Sequence, residues 1–121
     1  MILNFDQSIP VHLILRQRDN YDKLFLVKKN GVDYDWANVT EVILEVKKSK
    51  SAADKIIELK KSSGGIETNV GQMIFHLPPG KTDIEPGDYS SLELLILFES
   101  SKPKLWFDGS CTVKPRSIQV V

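Results

Sequence analysis

Two histidines, one cysteine and a short aromatic–carboxylate segment are the residues of this sequence whose types could do chemistry. His12 and His76 each alternate with apolar neighbours, which puts each imidazole on the face of a strand. A metal or acid–base pair would need the two rings to converge, and nothing in their spacing requires it. Cys111 has no histidine or basic residue immediately beside it to stabilise a thiolate, so it reads as a small core residue. Asp33, Asp35 and Asn38 hint at a calcium loop, but the required glycine and the distal bidentate glutamate are missing. Turn and strand-start chemistry accounts for them. Asn38-Val39-Thr40 matches a glycosylation acceptor, but Met1 to Asp6 lacks the basic start and long apolar run of a signal peptide, so the match is expected to be accidental. No Gly-x-Ser-x-Gly, no His-Glu-x-x-His and no paired catalytic carboxylates occur. The expectation is a protein that is not an enzyme, with no catalytic residues, no metal ligands and no cofactor.

Tyr34 and Trp36 stand close together in an Asp-rich segment. Exposed, they would form a platform for a sugar or a protein partner; otherwise Trp36 closes an open end of the fold, which is the expected role. Trp106 has the opposite parity to Leu105 and Phe107, so alternation sends it outward. With Leu95 and Leu97 it would make an apolar outer patch, the best candidate for a subunit interface.

The elements that must position these residues are strands. Ile9 to Leu15 alternates, with Ile9, Val11, Leu13 and Leu15 on one face. Lys23 to Lys29 follows and ends at Asn30-Gly31, a dipeptide suited to a tight hairpin. Thr40 to Lys47 sets Val42, Leu44 and Val46 against Glu41, Glu45 and Lys47. Lys48 to Asp54 reads as an exposed loop. Residues 52–61 carry both helical spacing and a strand pattern, and a short strand over Lys55 to Lys61 is expected because its neighbours are strands. Met73, Phe75 and Leu77 alternate until Pro78-Pro79-Gly80 ends their strand. A single helical turn is expected over Lys81 to Glu85. Tyr89 to Phe98 is apolar on both faces, the mark of a central or covered strand, and an inward Tyr89 requires a bulge near Ser90-Ser91. Lys104 to Val113 closes the series, with Leu105, Phe107, Cys111 and Val113 on one face.

These pieces fit a single all-β domain over residues 1–121, an immunoglobulin-like antiparallel β-sandwich of about 7–9 strands. Residues 1–8 and 116–121 read as extended arms. The chain has 121 residues, 41% of them hydrophobic and 26% charged, which suffices for one core. Sixteen basic residues balance sixteen acidic ones, so the basic excess of a nucleic-acid partner is absent. No window approaches the ~20 apolar residues needed to span a bilayer, and no membrane partner is expected. A lone cysteine allows no internal disulfide.

The order of motifs is Asn30-Gly31-Val32-Asp33, Val42-Ile43-Leu44-Glu45-Val46-Lys47, Ile57-Glu58-Leu59 and Gly64-Gly65-Ile66. It continues with Met73-Ile74-Phe75-His76-Leu77-Pro78, Pro86-Gly87-Asp88-Tyr89 and Cys111-Thr112-Val113-Lys114-Pro115. This order resembles the small immunoglobulin-like domains of phage and prophage tail and baseplate modules, of the type at the N-terminus of phage baseplate upper proteins. The resemblance runs from about Tyr21 to Pro115. It departs at Tyr34 and Trp36, where the pattern has a plain apolar residue and a glycine, and before Leu15, where this chain is longer and more apolar. It implies a virion structural protein made in a host bacterial cytoplasm, a baseplate or tail adaptor that assembles with other phage structural proteins and with itself. A capsid-decorating or head-fibre base protein is the alternative within that class. A carbohydrate- or receptor-binding module on Tyr34 and Trp36 is the alternative outside it.

Overall fold

The structure is a computed structural model that describes residues 2–7, 10–100 and 102–116. Among them ten strands and one helical turn form two sheets packed face to face. The first sheet orders β1 (Ile2–Asn4), β3 (Tyr21–Lys29), β8 (Gln72–Leu77) and β7 (Ile66–Asn69), with β4 (Val32–Asp33) hairpinned onto β3. The second orders β2 (Val11–Arg16), β10 (Lys104–Lys114), β9 (Gly87–Phe98), β5 (Val39–Lys47) and β6 (Ile57–Lys60). The helical turn α1 (Pro79–Thr82) carries the chain from β8 toward β9.

Alternation explains most of this. Phe25 and Val27, Val42, Leu44 and Val46, and Met73, Phe75 and Leu77 all turn inward, as their parity requires. Each such side chain, fully buried, contributes roughly 1.5–3 kcal/mol relative to exposure. Asn30 and Gly31 take positive φ values of 52° and 76° in the β3–β4 hairpin, which only such residues accept readily. β9 is central in its sheet, as its two apolar faces suggest. The expected bulge lies where Tyr89 requires it: Gly109 pairs with Leu92 and Cys111 with Tyr89, leaving one extra residue at Ser90-Ser91. Tyr89 is therefore inside, and its hydroxyl donates to the Glu85 carbonyl at 2.5 Å. A tyrosine bonded back to the corner it has just turned is a hallmark of immunoglobulin-like sandwiches.

Three expectations change. The sheets are mixed rather than purely antiparallel, because β1 runs parallel to β3 and β2 parallel to β10. The described residues form ten strands, since the N-terminal part of the chain serves both sheets in turn. Residues 2–7 are not an arm: Leu3 and Phe5 are buried, and the Phe5 amide donates to the Lys28 carbonyl at 2.7 Å. The 52–61 segment forms β6 with Ile57 and Leu59 inward, and the helical turn falls slightly earlier than expected. Ile9 and most of the 116–121 tail lie outside the described residues.

Candidate functional site

The N-terminal segment organises an aromatic cluster at one end of the sandwich. The Phe5 ring stacks on Tyr34 with centroids 4.0 Å apart, and Trp36 meets Tyr34 edge-on at 4.9 Å. Trp106 lies 5.2 Å from Phe5 and donates its indole N–H to the Gln7 carbonyl at 3.2 Å. The Lys104 ammonium caps the group, 4.3 Å above the Phe5 ring and 2.7 Å from the Phe5 carbonyl. Trp36 is only 7% exposed, so it closes the end of the fold as expected. Tyr34 is half-buried under Phe5, and burial raises its hydroxyl pKa, with Asp35 adding to the effect. The two aromatics do not form an open platform.

Trp106 requires a correction. It is 1% exposed, not turned outward. Leu105 pairs with Leu95 and Phe107 with Leu94, so Trp106 is the extra residue of a β-bulge. The bulge lets Trp106 and Phe107 both point inward and sends Leu105 outward, where it is half exposed. The outer patch of the second sheet is thus Leu105, Leu95 and Ile43 in one cross-strand row, with Leu97 one step along β9. Leu95 and Leu97 do lie on this face, each half-buried. A shallow depression of about 120 Å³ runs between this row and the Glu93 and Glu45 side chains.

The next row is acidic. Asp108, Glu93, Glu45 and Glu58 face one another across β10, β9, β5 and β6. Like charges in register oppose sheet formation. The loop between β5 and β6 supplies the remedy: Lys50 reaches Asp108 at 2.5 Å, and Lys55 bridges Glu58 at 2.7 Å and Glu45 at 3.1 Å. These contacts raise both lysine pKa values, through Asp108 for Lys50 and Glu58 for Lys55, and Lys55 lowers that of Glu58. The result is an apolar row beside an acidic row that Lys50 and Lys55 partly neutralise, an arrangement that can bind a protein surface.

The chemically capable residues sit elsewhere and apart. His12 lies along the outer face of β2, its Nδ1 2.5 Å from Ser110 Oγ and its Nε2 3.1 Å from Thr112 Oγ1. Thr112 passes the chain on to Asp88 at 2.8 Å. The second ring nitrogen thus meets a threonine rather than a carboxylate, and the arrangement ties β2, β10 and β9 together on an open face. His76 is on the other sheet, between Asp22 at 2.7 Å and Glu67 at 3.3 Å. Cys111 is fully buried, and desolvation pushes its thiol up to about 11. Asp35 accepts the Ala37 amide at 3.0 Å and Asp33 pairs with Lys28 at 3.2 Å, the turn and strand-start roles expected of them. Among the described residues no three His, Cys, Asp or Glu side chains are grouped to hold a metal ion.

No protein-family model matches the chain, and no curated protein matches it in sequence. The fold does have a counterpart. Its architecture is similar to the N-terminal domain of phage TP901-1 ORF48. The two superpose with a TM-score of 0.53 over 93% of this chain and 94% of that one, at 10% sequence identity. At that identity the likeness is one of fold, spanning nearly the whole of both chains. Phe5, Lys104 and Leu105 are the residues that sequence reading missed. The apolar Ile2-Leu3-x-Phe5 spacing was a usable signal, since strands put alternate residues on one face.

Proposed function

We propose that this chain is a structural component of a bacteriophage or prophage particle, a baseplate or tail adaptor that acts through protein–protein assembly in the virion. The observation that carries the reading is the near-complete structural match to a domain of a phage protein. The composition of the outer surface is consistent with it, because the Leu105, Leu95 and Ile43 row offers apolar area beside a partly neutralised acidic row. In this reading the row docks on a neighbouring subunit and the chain performs no catalysis. A glycan-binding role has less support, since Trp36 is packed inside and Tyr34 is covered on one side by Phe5.

Immunogold labelling of particles released by cells carrying the gene tests the assignment. Gold at the tail tip is the expected result. Gold on the head would move the chain to the capsid-decorating alternative. Unlabelled particles alongside labelled free protein would overturn the structural reading.

A further inference from the structure

Of the seven most exposed large hydrophobic side chains among the described residues, five belong to the first sheet or its hairpin turns: Ile2, Leu24, Leu26, Val32 and Val70. Leu24 and Leu26 stand at the centre of that sheet's outer face, on β3. Ile2 pairs with Leu26 on one side, and Ile74 with Leu24 on the other. Soluble monomers rarely gather exposed apolar residues in this way.

The charges around this patch indicate what covers it. Along its outward side β3 presents Asp22, Leu24, Leu26 and Lys28, reading acid, apolar, apolar, base. That order is self-complementary about Phe25. A second copy turned end for end over the same face sets Asp22 against Lys28 and Leu24 against Leu26, and the two-fold axis makes each contact twice. Stacking in the same direction would instead set Asp22 against Asp22. Among the described residues Lys28 pairs with Asp33, 61% exposed, at 3.2 Å, and Asp22, 62% exposed, with His76 at 2.7 Å; exposed pairs of this kind are worth little and can exchange for a partner across the contact. We infer that the outer face of the β1–β3–β8–β7 sheet is a two-fold contact between two copies of this chain, antiparallel at β3. The inference does not depend on the particle role proposed above.

Sedimentation velocity over about 1 μM to about 1 mM tests it. The expected result is a concentration-dependent dimer whose dissociation constant rises at least about tenfold in Leu24→Glu. Asp22→Lys or Lys28→Glu alone should weaken it about tenfold, and the two together should return it to within about threefold of the parent, because the swapped order is again complementary. Leu105→Glu, on the opposite sheet, should leave it unchanged. Circular dichroism confirms that each variant is folded, and the exposed charge variants carry the test if Leu24→Glu is not. A protein that stays monomeric throughout, a dimer indifferent to Leu24→Glu, or a double swap no better than its singles would overturn the inference.

Discussion

The carbonyl oxygen of Val11 occupies the space that a β-carbon on Gly109 would need. The two residues are direct partners in the parallel β2–β10 ladder, and the backbones approach so closely there that only glycine fits. Gly109→Ala should therefore push β2 away from the sheet and cost about 3 kcal/mol or more, at the upper end for a single added methyl group. Urea unfolding reads this as a lower midpoint. An unchanged midpoint would mean that β2 does not pair there.

The bulge at Trp106 makes an asymmetric forecast for adjacent residues. Trp106→Ala should cost about 3–5 kcal/mol, as expected for an emptied core site, while Leu105→Ser should change stability by less than about 0.5 kcal/mol. Strict alternation of the strand would reverse the two. Denaturant titrations of both variants decide between these arrangements.

His76 links three adjacent strands through Asp22 on β3 and Glu67 on β7. Its pKa is raised above the ordinary value, chiefly by the hydrogen bond to Asp22, against a smaller desolvation effect and with Glu67 adding to the rise. A raised folded-state pKa contributes stability that is complete below the unfolded value and disappears as pH climbs through the folded one. As pH rises from below the ordinary histidine value of about 6.5 through the raised folded-state one, the protein should lose less than about 1 kcal/mol at this site, given the exposure of the pair. His76→Gln should flatten that slope. A variant with the parent's pH profile would show that the clamp is energetically silent.

Cys111 is buried in the core between the two sheets, and desolvation raises its thiol pKa to about 11. Ellman's reagent should leave it unmodified in the native protein for as long as the sandwich holds, and react at once in denaturant. Rapid native labelling would place β10 outside the core.

Much of the fold was legible because parity survives wherever a strand is regular. Val42, Leu44 and Val46 needed no more than their spacing, and Tyr89 even located its own bulge. Trp106 was misread because a bulge inserts a residue without leaving any mark in composition, and every residue up to Leu105 then changes face. The N-terminal strand was misread for a different reason. Ile2 to Phe5 is too short to show a period, and its burial depends on the partners Lys28, Tyr34 and Lys104 from distant parts of the chain. The outer patch was half seen: Leu95 and Leu97 were placed, whereas Leu105 and Ile43 became their neighbours only through register. The acidic row across four strands is likewise a product of register, and so is the role of Lys50 and Lys55 in compensating it.

Quantitative mass spectrometry of gradient-purified particles tests the central claim most directly. An integral structural component should co-sediment at a fixed copy number relative to the major tail proteins, unchanged by high-salt washing. A chain that is absent from the particles, or present at a ratio that falls with each purification step, would contradict it.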